Sequence, residues 1–226
     1  MTGFAILGAG GIARFHAKAV GAMADANVVA VCDIAKDRAE KFAAEIGLAA
    51  NAAYDDVDAM LARGDVDVLL VTTPSGLHHE GVYAAARHHV NVLVEKPLEI
   101  TTERIDEMAK ACADAGVKLG CIFQTRWTDG FLEAKRKLDS GELGRVTYAA
   151  VQVPWWRSDE YYAQGGWRGT YKMDGGGAMM NQSIHMIDWL QALMGEPVEV
   201  KGFIATLAHP IETEDTAAAV MRFNNG

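Results

Sequence analysis

The feature that most constrains the fold of this chain is a glycine-rich turn that runs from Gly8 to Ala13. The apolar run 4–7 before it predicts a buried parallel strand, and from Ile12 the apolar spacing becomes helical. Gly8 allows the turn, Gly10 leaves room for a phosphate against the backbone, and Ala13 lets the helix pack closely on the strand. A pyrophosphate is therefore expected at the helix N-terminus. The residues predicted to form this site are Gly8, Gly10, Gly11, Ile12 and Ala13.

A second apolar strand, residues 28–32, ends on Asp33, about where a ribose-binding carboxylate follows such a turn. A carboxylate there accepts hydrogen bonds from the adenosine ribose hydroxyls and repels a 2′-phosphate, so NAD is favoured over NADP as the cofactor. Two alternatives stay open. In the first, Asp33 only caps a helix; in the second, the nearby Arg38 receives the 2′-phosphate of NADP.

The acidic composition narrows the classes of partner. The net charge is -9 and the pI about 5.2, and no block of lysine or arginine offsets the acidic excess. Binding to nucleic acid or to an anionic membrane is therefore not expected, and a small molecule is the predicted partner. No targeting segment and no apolar run of membrane-spanning length is evident, so a cytoplasmic location is predicted.

The cysteines and histidines predict no metal site. Cys32, Cys112 and Cys121 are odd in number, lack the spacing of metal ligands and lie in apolar runs, which is typical of a reduced, cytoplasmic protein. The histidine pairs 78–79 and 88–89 are adjacent residues that diverge on a helix, and no cysteine or carboxylate completes a ligand set.

Alternating strands and helices in residues 1–122 predict an α/β domain with a doubly wound parallel sheet. Strands are predicted at 49–53, 66–72, 90–94 and 117–123, and helices at 36–46, 55–61, up to 88, and 101–115. Ligands of such sheets gather at the carboxyl ends of the strands.

The pattern changes in residues 123–226, which predict an α+β domain with a mainly antiparallel open sheet. Strands are predicted at 146–153, 198–207 and 216–223, helices at 127–138 and 178–194, and a loop at 155–177. Asn224-Asn225-Gly226 is a hairpin-turn signal directly after a strand. This domain is therefore expected to be incomplete at the C-terminus.

Several polar residues fall at the predicted strand ends. Lys96 can hydrogen-bond a substrate hydroxyl and stabilise the negative charge that develops as its proton leaves, although a surface lysine is the ordinary alternative. Thr73 and Pro74 either border the cofactor or form a turn and a helix cap. His78 and Glu95 lie beside these motifs.

Three glycines at 175–177 precede a predicted helix that carries Asn181, His185 and Asp188 on one polar stripe. His185 can take a hydroxyl proton near neutral pH. The alternative is a core histidine that Asp188 holds by a hydrogen bond.

These motifs, together with Trp167-Arg168, resemble the Gfo/Idh/MocA oxidoreductases, the family of glucose-fructose oxidoreductase and inositol 2-dehydrogenase. The resemblance spans essentially the whole chain. It implies an N-terminal Rossmann domain and a C-terminal α/β domain whose open sheet often forms the oligomer interface. It also implies a chain that continues beyond Gly226. A homo-oligomer that forms through the C-terminal sheet is therefore expected for the full-length protein.

The resemblance further implies roles for individual residues. Lys96 and His185 flank the carbon that gives up hydride, with His185 as base and Lys96 as the group that polarises the hydroxyl. Asn181 stands where many members have aspartate and orients substrate only, because an amide cannot accept the proton. Arg168 lies near the nicotinamide end. His78 and Glu95 count among the cofactor-binding residues, Gln124 and Arg126 border the domain junction, and Trp155, Trp156, Tyr161 and Tyr162 form either a wall for a sugar ring or ordinary core.

The predicted function is NAD-dependent oxidation of a secondary hydroxyl in a sugar, a sugar derivative or a cyclitol. Asn181-Gln182 resembles the branch that acts on nucleotide-linked or otherwise modified sugars. Two alternatives remain. One is a lyase or glycosidase that passes through a transient ketone, and the other is a non-catalytic NAD-binding sensor.

Overall fold

The computed structural model describes residues 1–225 and divides the chain into two compact units, 1–122 and 123 onward. The hairpin signal at 224–226 ends on Gly226, which lies outside the described residues. Within the described range, the structure contains no helix whose length and apolar character would suffice to cross a membrane.

The first unit is built on a six-stranded parallel sheet with the order β3-β2-β1-β4-β5-β6. The strands are β1 (Thr2–Leu7), β2 (Ala26–Cys32), β3 (Ala53–Tyr54), β4 (Val68–Val71), β5 (Asn91–Val94) and β6 (Leu119–Cys121). The helices are α1 (Gly11–Gly21), α2 (Lys36–Glu45), α3 (Val57–Leu61), α4 (His78–Arg87) and α5 (Thr102–Ala115). The predicted parallel sheet is confirmed.

Helices cover both faces of this sheet and create two hydrophobic cores. Leu69 of β4 packs in one core with Val82 and Met108, which come from α4 and α5. Its neighbour Leu70 packs in the other with Phe42 of α2. Successive strand residues point to opposite faces, so burial of both faces explains the nearly continuous apolar runs of the strands.

In its described residues, the second unit contains three α-helices and an antiparallel pair of strands. The helices are α6 (Asp129–Asp139), α7 (Asp159–Ala163) and α8 (Ile184–Met194), and the strands are β7 (Pro197–Ala205) and β8 (Thr216–Phe223). The predicted antiparallel pairing of the last two strands is confirmed. The predicted strand 146–153 is wrong, because in the described residues β7 and β8 pair only with each other and offer this segment no partner for backbone hydrogen bonds.

Two predicted elements take a different local form. Residues 50–52 are a 3-10 turn, which leaves β3 only two residues long. The helix predicted at 178–194 is divided into a π-helical turn, Ala178–Gln182, and α8. Glu214 explains this break: its side chain accepts hydrogen bonds from the backbone N–H of Gly177 (3.1 Å) and Met179 (2.9 Å), which fixes the first turn from outside the helix.

Candidate functional site

The glycine turn at the end of β1 depends on a close approach to the loop after β4. Gly8 has a φ of +98°, and a Cβ there would lie 2.9 Å from the carbonyl carbon and oxygen of Thr72. The Thr72 hydroxyl donates a hydrogen bond of 2.8 Å to the Gly8 carbonyl. Only glycine fits this conformation and this spacing without strain.

The N-terminus of α1 fits a pyrophosphate. Gly10 caps the helix without a side-chain hydrogen bond, and the first turn carries no acidic residue. A Cβ on Gly10 or Gly11 would meet no atom within 4 Å, so open space lies beside the first backbone N–H groups. Ile12 is 43% exposed, whereas Ala13 is fully buried and contributes packing of α1 on the sheet.

Asp33 connects the glycine turn to the loop before α2. Its side chain is nearly buried, and Oδ2 accepts a hydrogen bond of 2.8 Å from the Ala9 backbone N–H. The other oxygen accepts from the backbone N–H of Ala35, the residue that caps α2, and from Arg38 at 2.6 Å. The structure thus shows Asp33 in a turn contact with the N-cap residue of α2 rather than as the cap itself, and it pairs Arg38 with Asp33. A bond from Asp33 to a ribose stays a prediction.

His78 braces two loops at the carboxyl edge of the sheet. Its ring is 1% exposed, with Nε2 3.0 Å from the Thr73 carbonyl and Nδ1 2.9 Å from the Pro97 carbonyl. Burial lowers the pKa of His78, whereas the contacts with the Thr73 and Pro97 carbonyls act in the opposite direction. The ring holds the Thr73-Pro74 and Pro97-Leu98 segments in place, so an indirect contribution of His78 to cofactor binding is predicted.

Thr73 offers a free polar group beside that brace. Its hydroxyl oxygen is buried and has no hydrogen-bond partner among residues 1–225. Buried hydroxyls are normally satisfied, and an unsatisfied one calls for a ligand or an ordered water. The position of Thr73 after β4 fits the predicted cofactor border.

Glu95 and Lys96 follow β5. Glu95 Oε1 lies 2.8 Å from His16 Nε2 on α1, and Oε2 accepts from the Lys96 backbone N–H at 3.0 Å. Burial raises the pKa of the Glu95 carboxyl, but the hydrogen bond and charge of His16 together with the Lys96 N–H and ammonium group outweigh it and hold this pKa below its usual range. An ionised Glu95 therefore fixes α1 against the end of β5 and orients the backbone that carries half-buried Lys96.

In the second unit, the π-helical turn buries Asn181 against Asp174. The amide of Asn181 donates to Asp174 Oδ1, and Asp174 Oδ2 accepts from the Gly169 backbone N–H at 2.9 Å. Both side chains are more than nine-tenths buried. This contact fixes the side-chain amide of Asn181 four residues before His185.

His185 lies on the first turn of α8, edge-on to the Phe123 ring with centroids 5.9 Å apart. Asp188 does not supply the contact that the sequence alternative assigned to it. Both of its carboxylate oxygens accept from Arg126, at 2.7 and 2.6 Å, and this bond raises the pKa of Arg126. His185 and Asp188 share a helix, but Asp188 pairs with another element.

A cluster of aromatic and guanidinium groups precedes this helix. The Arg168 guanidinium lies 4.4 Å from the Tyr161 ring centroid and donates to its hydroxyl at 2.7 Å. Arg157 lies 4.8 Å from the same centroid and donates to Gln182 Oε1 at 2.8 Å. Gln182 in turn donates to the Tyr161 hydroxyl at 3.1 Å. The sequence analysis missed Arg157, whose only local signal is its place beside two tryptophans.

Two of the four aromatic residues that were predicted to form a wall for a sugar ring, Trp155 and Tyr162, differ in exposure. Trp155 is 60% exposed and lies 5.5 Å from the Arg157 guanidinium, so its ring is open to a ligand. Tyr162 is half-buried and packs on His209 with centroids 4.9 Å apart. Among residues 1–225, no group of histidine, cysteine and carboxylate side chains is arranged to hold a metal ion.

Comparison with known proteins identifies relatives of both units. Residues 2–123 match the family described as "Oxidoreductase family, NAD-binding Rossmann fold", and residues 131–226 match the "GFO/IDH/MocA C-terminal domain". Inositol 2-dehydrogenase of Rhizobium meliloti (strain 1021) is 30% identical over 90% of this chain and 58% of its own length. A hydratase of 2,7-anhydro-N-acetylneuraminate from Mediterraneibacter gnavus is 30% identical over 92% of this chain and 53% of its own length.

A solved structure is also similar. The WlbA dehydrogenase from Bordetella pertussis, in complex with NADH and UDP-GlcNAcA, has a TM-score of 0.93 and 35% identity over 99% of this chain and 68% of its own. This chain thus spans little more than half the length of the curated relatives named above. The family match confirms the predicted family resemblance and NAD as the predicted cofactor.

Proposed function

Because this chain belongs to the Gfo/Idh/MocA oxidoreductase family, we propose that it oxidises a secondary hydroxyl of a sugar, a sugar derivative or a cyclitol to a ketone, with NAD as hydride acceptor. The main support is the glycine-lined N-terminus of α1, which has no side-chain cap and offers a pyrophosphate site on the same sheet edge as Lys96. Relatives named as dehydrogenases of inositol and of D-glucosides support the substrate class. The UDP-GlcNAcA complex of a similar dehydrogenase extends it to nucleotide-linked sugars.

The first unit supplies the groups that would hold NAD. The backbone N–H groups at the start of α1 bind the pyrophosphate, and Asp33 lies where a ribose hydroxyl is bound in such folds. The unsatisfied hydroxyl of Thr73 accepts or donates one further bond. When bound, NAD supplies the hydride chemistry, and the protein supplies orientation and electrostatics.

The proton of the substrate hydroxyl is handled by the protein. His185 takes it as general base, and the ammonium group of Lys96 stabilises the negative charge on the oxygen as the proton leaves. Asn181 orients the substrate, since its amide is already held by Asp174 and cannot accept a proton. General acid–base groups of this kind contribute about 10²- to 10⁴-fold to a rate.

The test is NADH formation with a panel of inositols, aldoses and nucleotide sugars. We expect turnover with one substrate class, a loss of about 10²-fold or more in Lys96→Ala and His185→Ala, and retained NADH binding in both variants. Lys41→Ala, which changes an exposed lysine of α2, is the matched control. Unchanged turnover in both variants would contradict the proposal.

A second candidate is favoured by the relative named as a hydratase. The same groups would serve a lyase if the ketone is transient, because oxidation of the hydroxyl-bearing carbon to a ketone makes the C–H on the neighbouring carbon acidic, and the hydride held by NADH returns to the sugar after elimination. Such a reaction leaves no net NADH, so mass spectrometry of the sugar products would distinguish it from the dehydrogenase.

A further inference from the structure

Most arginines of this chain are paired with carboxylates. Arg14, Arg38, Arg63, Arg87, Arg104, Arg126, Arg136 and Arg222 each lie within ion-pair distance of an aspartate or glutamate. Arg145 is exposed to solvent and needs no partner. In the described part of the chain, only Arg157 and Arg168 are half-buried and lack a carboxylate partner.

The guanidinium groups of Arg157 and Arg168 both lie close to the ring of Tyr161. Arg168 and Arg157 lie 4.4 and 4.8 Å from the centroid of the Tyr161 ring. The hydrogen bonds that the structure describes use Arg168 Nη1 and Arg157 Nε, which leaves most of their N–H donors for another acceptor. Two partly desolvated cations close to one ring repel each other unless an anion joins them.

The neighbouring acidic groups are held by other partners. Asp174 and Asp215 both influence the nearby Tyr162 electrostatically. Asp174 binds the Gly169 N–H and the Asn181 amide. Asp215 accepts from three successive backbone N–H groups, residues 207–209, and from the His209 ring. Neither carboxylate therefore neutralises the arginine pair.

The segment that carries Arg157 is fixed in place. His209 Nε2 lies 2.7 Å from the Arg157 carbonyl, and its ring packs on Trp156 with centroids 4.6 Å apart. Asp215 orients this histidine through Nδ1 at 3.0 Å. A preorganised guanidinium loses little conformational freedom when a ligand binds, which favours a recognition role.

We propose that Arg157 and Arg168 bind an oxyanion of the substrate, a carboxylate or a phosphate, so that the enzyme acts on a charged sugar. This inference rests on the proposed function for the identity of the sugar ring, but the anion site itself does not. The planar guanidinium fork matches both oxyanions. Gln182, which follows Asn181 in the sequence, accepts from Arg157 and donates to the Tyr161 hydroxyl. The anion site therefore lies beside the predicted substrate residues of the same unit.

Isothermal titration calorimetry of the NADH-loaded protein tests this with glucose, glucuronate, UDP-glucose and UDP-glucuronate. We expect a charged member to bind at least tenfold more tightly than glucose, and Arg157→Gln or Arg168→Gln to weaken it by about 10- to 100-fold. Arg145→Gln, which removes the same charge from an exposed position, leaves the affinity unchanged. A preference for glucuronate over glucose identifies a carboxylate, and an arginine-dependent preference for UDP-glucose over glucose identifies a phosphate.

Thermal unfolding of each variant checks that it is folded. As a second control, Arg157→Lys keeps the charge without the planar fork and is expected to retain part of the affinity. Equal binding of charged and neutral sugars, no binding of any charged member, or an equal loss in Arg145→Gln overturns the inference. So does a loss of NADH affinity in the glutamine variants with sugar selectivity retained. NADH formation is measured separately. Arginine-dependent binding without turnover refutes the proposed function alone, and turnover of a neutral sugar by a fully active Arg157→Gln refutes the inference alone.

Discussion

Replacing Gly8 by alanine tests the geometry on which the cofactor site depends. The backbone at Gly8 has a φ of +98°, and the added Cβ would lie 2.9 Å from backbone atoms of Thr72, which cannot move aside as a flexible side chain can. The positive φ costs about 1 kcal/mol for alanine, and the clash adds about 1–3 kcal/mol. We therefore expect Gly8→Ala to lower the free energy of unfolding by about 2–4 kcal/mol.

Two other glycines separate the contributions in the same assay, urea unfolding together with NADH titration. Gly47 has a φ of +78° but open space around its Cβ position, so Gly47→Ala reports backbone strain alone, about 1 kcal/mol. Gly10 has open space and an ordinary φ, so Gly10→Ala leaves stability within about 0.5 kcal/mol and weakens NADH binding where the phosphate approaches. Equal destabilisation by Gly8→Ala and Gly47→Ala, or full NADH affinity in Gly10→Ala, would refute the reasoning.

Three further changes test contacts around the candidate site. Asp188→Asn breaks the bidentate bond to Arg126, whose side chain is 45% exposed, so a loss of about 1–2 kcal/mol is expected by chemical unfolding, and no loss would show that the pair is solvent-screened. Because the pKa of Glu95 is lowered in the folded state, the ionised carboxylate stabilises the fold at pH values above the ordinary glutamate pKa. This contribution is lost as the pH falls through the lowered pKa. Glu95→Gln should therefore melt earlier than wild type at pH 7 and approach it in acid, and a constant gap in Tm would contradict this. His78→Ala leaves two buried carbonyls without their partner and is expected to cost about 2–4 kcal/mol in unfolding and to weaken NADH binding, whereas wild-type affinity would exclude a brace.

Local patterns were sufficient for the first unit. The glycine turn, the apolar strands and the alternation of elements depend on neighbouring residues and on burial of both sheet faces, so the sequence predicted the parallel sheet and the edge at which its polar residues gather. Boundaries were less certain where burial was partial: β3 is two residues long, because residues 50–52 close a 3-10 turn instead.

The second unit shows where local patterns fail. Alternating apolar residues at 146–153 fit a strand, but a strand exists only with a hydrogen-bonded partner, and the described residues provide none. The helical spacing of Asn181, His185 and Asp188 suggested one polar stripe. Contacts of Glu214 with the backbone at 177 and 179 interrupt that helix, which no local signal predicts.

The fold class, the family and NAD as cofactor followed from the sequence, because the motifs that indicate them depend on spacing along the chain. Only the tertiary structure decided which charges are paired. It joined Asp188 to Arg126 and His16 to Glu95, and among residues 1–225 it places no carboxylate within ion-pair distance of Arg157 and Arg168, which lie around Tyr161. Each of these pairings depends on side chains brought together from distant positions, and their energies come from burial and distance, which sequence spacing does not encode.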